Sequence, residues 1–281
     1  MKILKYITLA VLPLMFVACD NFEENEYVIY PEGETSEQTP ITKKQNEQAI
    51  LLEDYTGWSC VNCPAAAELV TDLQNEFGEK LVAMAVHAGA FARPSSANGN
   101  MDFRTEYGEK WYNDFGITSN PIGVINRKSN GTSSSKGILK DDWRSTIVSL
   151  LSSTKHTMNI NLGATKRDNK FLVSVNGEIL QDINQPVLIT ILVLEDGIIG
   201  TQLTNNAENP MVKDYVFNHV LRTNGLVDYS FFTSASANQN INKNYEINID
   251  SSWNTANCKI VVFATNADNG EVLQVNEIDI E

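Results

Sequence analysis

Ile50-Leu51-Leu52-Glu53-Asp54-Tyr55-Thr56-Gly57-Trp58-Ser59-Cys60-Val61-Asn62-Cys63-Pro64 is the stretch on which the fold turns. Residues 49–55 are apolar enough for a central strand, which Thr56-Gly57 ends. After the cysteines, Ala65-Ala66-Ala67-Glu68 opens a helix with Leu69, Val70, Leu73 and Phe77 on one face and Gly78 as its stop. Pro64 suits the first helical turn, where its missing N–H costs little. Cys60 is therefore expected at a helix N-terminus, whose positive partial charge favours the thiolate that attacks disulfides.

Downstream, residues 81–87 form a near-continuous apolar run of the kind parallel sheets use. A loop over 92–100, a helix around 103–115 and Gly116 come next. Asn120-Pro121 then stands directly before an apolar strand, a place where X-Pro bonds held cis are structural or functional fixtures. Asn130-Gly131 signals a turn, and Trp143, Ile147, Leu150 and Leu151 mark a last helix before about Lys155.

Strand, CxxC at a helix start, strand, helix, proline before an apolar strand, and helix resemble the thioredoxin fold over residues 49–155. The resemblance makes Cys60 the nucleophile and Cys63 the resolving thiol. It makes Asp54, six residues before Cys60, a buried carboxylate able to relay a proton to or from Cys63. Pro121 becomes the cis-proline that presents backbone to an extended substrate strand, with Asn120 beside it as a candidate binding residue. Two positions depart from the pattern: Ser59 replaces the aromatic before the first cysteine, Trp58 lying one place early, and Asn120 is not the commonest partner of that proline.

A lone CxxC also fits a metal half-site or a permanent disulfide. His87, His156, His219 and Cys258 form no second close-spaced pair, so no metal and no cofactor is expected. The permanent disulfide stays open as the competing reading.

Upstream, Lys2 and Lys5 precede an apolar run over 7–17 that is too short to span a bilayer comfortably, so residues 1–18 read as an export signal. Phe16-Val17-Ala18-Cys19 resembles a bacterial lipobox, with Phe16 where Leu is usual. Cleavage would leave Cys19 for acylation and so a membrane anchor. The alternative is an ordinary secretory signal with a chance cysteine, although no better small-x-small site precedes Cys19. Either way the thiols meet an oxidising environment.

Without residues 1–18 the chain keeps 19 Lys and Arg against 35 Asp and Glu, a formal charge of −16. Such a balance excludes phosphate-backbone recognition, so no nucleic-acid partner is expected. From Cys19 to Gln48 the chain is acidic, holds Pro31 and Pro40 and lacks an apolar period, and it reads as a flexible tether. Its acidic start fits a surface-export signal and a solvated spacer equally.

Beyond residue 155 the texture changes to short strands divided by Asp168-Asn169, Asn176-Gly177, Asp196-Gly197 and Asn269-Gly270 turns. Residues 156–281 are expected to form an antiparallel β-sandwich of immunoglobulin-like size, with a loop over 200–214. Cys258 alternates with Ile260 and Val262 and reads as a small buried hydrophobe, while His219 is a candidate binding residue or a packing residue. The fold class is thus α/β followed by all-β.

The whole pattern is similar to the twenty-eight-kilodalton outer membrane protein family. The motifs that carry it are Tyr55-Thr56-Gly57, Cys60-Val61-Asn62-Cys63-Pro64, Asn120-Pro121-Ile122-Gly123 with Asn126-Arg127 after it, and Asn218-His219-Val220-Leu221-Arg222. This resemblance implies an outer-membrane lipoprotein, with either leaflet open. Two functions compete: thiol–disulfide exchange with a protein substrate through Cys60 and Cys63, or a surface binding or adhesin-like role in which the pair is a structural disulfide.

Overall fold

A computed structural model describes residues 32–129, 135–222 and 225–280. The signal, Cys19, the first part of the tether and the Asn130-Gly131 turn lie outside the described residues. Among the described residues no helix is long and apolar enough to cross a membrane.

Strand β1 (Ile50–Thr56) is buried along its whole length because it has a strand on each side. It pairs in parallel with β2 (Leu81–His87) and antiparallel with β3 (Ile122–Ile125). Ile50 and Leu52 pack with Ala66, Val70 and Leu73 of helix α1 (Cys63–Phe77) and with Trp143 and Ile147 of α3 (Trp143–Ser153). Leu51 and Tyr55 face the other way, onto Trp111 and Phe115 at helix α2 (Glu106–Asp114). The α2 helix starts three residues later than its apolar pattern begins, because Thr105 supplies the cap by accepting the Gly108 N–H at 3.0 Å.

The remaining strands are β4 (Met158–Arg167), β5 (Lys170–Ile179), β6 (Val187–Glu195), β7 (Ile198–Leu203), β8 (Met211–Phe217), β9 (Val220–Leu221), β10 (Leu226–Phe232), β11 (Asn240–Asn248), β12 (Cys258–Asn266) and β13 (Val272–Asp279). One sheet runs β13-β12-β6-β9-β2-β1-β3, with β10 also on β6; β11-β5-β4 form a second, and β7-β8 a separate hairpin. The molecule is mixed α/β and mostly strand.

The expected boundary at residue 155 falls between α3 and β4, yet it does not divide the main sheet. The second half is therefore not a sandwich closed on itself. Ile189, Ile191 and Val193 of β6, with Ile260, Val262 and Ala264 of β12, pack under the β4-β5-β11 sheet. Leu192, Leu194, Val261 and Phe263 on the same strands face the core shared with β1, β2 and α2. Strands apolar on both faces need cover on both, and the first half supplies the second cover.

The expected tether is shorter than its composition implies. Thr35 N–H donates to Asn244 O at 3.0 Å, Lys43 N–H to Leu162 O at 2.9 Å, and Gln45 Nε2 to Val275 O at 2.7 Å. Residues 34–48 thus run as a strap across the second sheet, with Thr39 and Gln48 buried. The strap is held by backbone and amide hydrogen bonds, which an apolar count does not register. At Gly163 a Cβ would lie 2.0 Å from Pro40 O, so only glycine admits it.

The expected loop over 200–214 also proves structured in part, since β7 and β8 pair there with Ile198 opposite Phe217 and Leu203 opposite Met211.

Candidate functional site

Cys60 and Cys63 form a disulfide. Helix α1 begins at Cys63, so the structure puts Cys60 in the turn ahead of the helix rather than in its first turn. That turn is closed by Cys60 N–H to Gly57 O at 3.0 Å and Cys63 N–H to Cys60 O at 3.2 Å. Gly57 is required because the Phe91 carbonyl would lie 2.5 Å from any Cβ there. The same Phe91 carbonyl accepts Ser59 N–H at 3.1 Å and Ser59 Oγ at 2.9 Å. Trp58 turns inward, donating Nε1–H to Arg93 O at 2.6 Å while its ring packs with Phe103 and Phe217. The aromatic, one place earlier than expected, thus serves as an internal anchor of the turn.

Strand β7 closes the turn from above. Gln202 is buried, and its Nε2 donates to Cys60 O at 3.0 Å and to Leu203 O at 2.8 Å. Leu203 N–H reaches Trp58 O at 2.8 Å. Cys60 and Cys63 are left 3% and 2% exposed.

Behind the disulfide lies a cavity of about 160 Å3 lined by Asp54, Thr56, Cys63, His87 and Gln202, with further lining from α1 and β8. Asp54 is buried, its Oδ1 has no hydrogen-bond partner, and burial pushes its carboxyl up to about 7. His87 lines the same cavity. Its Nε2 likewise lacks a partner, its ring stands edge-on to Phe103 and Phe217, and burial, helped by the Arg222 charge, pushes it down to about 3. Sequence reasoning missed His87 as a site residue. The register that sets Asp54 opposite Ala85 and Thr56 opposite His87 puts it on Asp54's face of the sheet.

The Asn120–Pro121 peptide is cis. It lies at the same end of the sheet as the disulfide turn, since Ile122, next in the chain, pairs with Tyr55. Asn120 Nδ2 donates to Ala88 O at 3.4 Å, and Ala88 N–H to Thr56 O at 3.3 Å, so both residues border the site.

His219 serves the joint between the two halves. Its N–H donates to Asp196 Oδ1 at 2.5 Å, its Nδ1 lies 3.2 Å from that oxygen, and its carbonyl accepts Ala85 N–H at 2.8 Å. Arg222 Nε lies 2.9 Å from Glu195 Oε2. The Asn218-His219-Val220-Leu221-Arg222 motif is thus the seam that carries the sheet from β6 to β2, although His219 also lines the cavity. His156 bonds Asn159 Oδ1 at 2.8 Å through Nε2. Cys258 is a free thiol in the core, pushed up to about 12 by burial.

Among solved structures the chain is similar to HBP35 of Porphyromonas gingivalis, at 17% identity and a TM-score of 0.62, over 85% of this chain and 77% of that one. A domain of the outer membrane lipoprotein Omp28 from Porphyromonas gingivalis overlaps 44% of this chain and 88% of its own length, at 22% identity and a TM-score of 0.30. The first shows a shared fold and the second is too loose to add to it. No curated protein matches the chain. The family model described as outer membrane protein Omp28 matches residues 108–281, a span that begins after the Cys60–Cys63 disulfide and holds Asn120-Pro121 and the 218–222 seam. That match covers more than half of the sequence, and the chain belongs to the Omp28 family of outer membrane proteins.

Proposed function

We propose that the chain is an exported lipoprotein of the outer membrane, anchored through acylated Cys19, whose thioredoxin-like first half exchanges the Cys60–Cys63 disulfide with thiols of a protein substrate. In this reading residues 49–155 form the exchanging unit, and residues 156–281, which share its main sheet, present partners and cover the site. A substrate thiolate attacks Cys60 Sγ, the Cys60–Cys63 bond breaks, and the Cys63 thiolate takes the proton held by Asp54. A second substrate thiolate then attacks the mixed disulfide and releases the Cys60 thiolate. The substrate leaves as a disulfide, having given two electrons to the pair, and the steps run backwards for a disulfide substrate.

Asp54 carries this reading. A permanent clip has no use for a buried, unpartnered carboxyl beside it, and such a group is costly unless it has a task. The second reading, a binding lipoprotein with a permanent clip, draws support from the closure of Cys60 under Gln202. Exchange then requires β7 to lift.

A trap separates the two. In the full chain carrying Cys63→Ser, Cys60 is expected to form a stable mixed disulfide with insulin. Adding Gln202→Ala, which removes the amide over Cys60, is expected to speed its formation roughly tenfold, the worth of one or two hydrogen bonds in the opening equilibrium. A folded Cys63→Ser chain that forms no adduct, with or without Gln202, refutes exchange.

A further inference from the structure

Asp54 and His87 line one cavity from adjacent strands of the same sheet face, and each carries a buried polar atom without a partner. Asp54 Oδ1 comes from β1 and His87 Nε2 from β2, and both residues are more than nine-tenths buried. Buried polar atoms are almost always satisfied, by protein or by ordered water. A cavity of about 160 Å3 has room for several waters, each of which takes up roughly 30 Å3 in the liquid.

We infer that ordered water in this cavity bridges Asp54 Oδ1 and His87 Nε2, which makes His87 a positioning residue that sets how readily Asp54 gives up and takes back its proton. The functional meaning rests on the exchange reading above; the bridge itself does not.

His87 suits the end of such a bridge rather than the role of a base. Its ring is held edge-on by Phe103 and Phe217, and burial keeps it uncharged at neutral pH, so it does not compete for the proton of Asp54. A water fixed at Nε2 donates to the Asp54 carboxylate and stabilises the charged form against the burial that opposes it. The other titratable groups around the pair are Glu68 on α1, Tyr215 on β8 and His219, with Asp102 and Arg222 acting on His87 from outside; Cys63, held in the disulfide, does not titrate. The charges of Glu68 and Asp54 add to burial in raising the Tyr215 hydroxyl, which places that hydroxyl within their reach too.

The test follows the Asp54 side-chain carboxyl carbon by NMR through a pH titration of the oxidised full chain, so it needs no turnover. His87→Leu is expected to raise the Asp54 midpoint by about one pH unit, a tenfold gain in proton affinity, and to abolish the long-lived water signal at the cavity. His87→Gln, which keeps a hydrogen-bonding end, is expected to return the midpoint to within a third of a unit of the parent. An unchanged midpoint in a folded His87→Leu chain, or equal shifts in both variants, overturns the bridge. Expected shifts in a chain that traps no insulin leave the bridge standing and refute exchange alone.

Discussion

Replacing Asp54 by asparagine is expected to stabilise the folded protein by about 4 kcal/mol above pH 8 relative to the parent, and by almost nothing from this source near pH 3. The carboxyl is pushed from 3.8 up to about 7 by burial, so the folded chain holds its proton far more tightly than the unfolded chain. A group raised in this way contributes stability that is fully present below the unfolded value and is lost as pH rises through the folded value. The parent should therefore weaken steadily between about pH 4 and pH 7 and then level off. Asparagine carries no charge to bury and removes that slope. Urea unfolding of parent and variant at a series of pH values checks it: the gap between the two should widen through this window. Parallel curves would mean that Asp54 ionises without penalty, and the physical basis for the proposed proton transfer to Cys63 would be gone.

Loss of the guanidinium at Arg127 is expected to cost about 3–5 kcal/mol, because it strands a buried carboxylate. Glu53 is fully buried on β1, and Arg127 lies in the turn after β3. Arg127 Nε and one terminal nitrogen donate to the two Glu53 oxygens at 3.0 and 2.9 Å. The guanidinium also stacks 4.3 Å from the Trp111 ring centre and 4.7 Å from Phe263 of β12. It therefore joins the α/β half to the strand that continues the sheet in the other half. Arg127→Met should lower the denaturant midpoint sharply, and Arg127→Lys should recover little, since an ammonium cannot make the paired contact. Glu53→Gln in the Arg127→Met background removes the stranded charge and should restore much of the loss. A cost below about 1 kcal/mol for Arg127→Met would show that the pair is not the joint.

The first half was readable because its signals agree with one another. The apolar runs at 49–55 and 81–87 became β1 and β2 within a residue, since fully buried parallel strands announce themselves by continuous apolarity. Gly78 and Pro64 bound α1 as expected. The second half misled because most of its strands were recognisable while their neighbours were not. Val187–Glu195 and Cys258–Asn266 lack the alternation of a sandwich strand that has one face in solvent, and that lack is the sign that a second layer covers them. The β7 strand was hidden by Gly200 and by a polar tip, and its importance lies in a single amide, Gln202, that no local pattern connects to Cys60. Likewise, His87 ends an apolar strand and could be linked to Asp54 only through the strand register. The Asn126-Arg127 and 218–222 motifs, taken from the sequence as family marks, turn out to be parts of the interface between the halves: Asn126 O accepts Val272 N–H and the Arg127 guanidinium stacks on Phe263.

The most direct measurement is the reduction potential of the Cys60–Cys63 pair in the full chain, titrated against glutathione or dithiothreitol and read by thiol labelling. An exchanging pair has a midpoint between about −270 and −120 mV, where known thiol–disulfide exchangers lie, and its reduced form reoxidises on insulin. A midpoint below about −300 mV, with no insulin reduced, is the mark of an inert structural disulfide and would contradict exchange at this site.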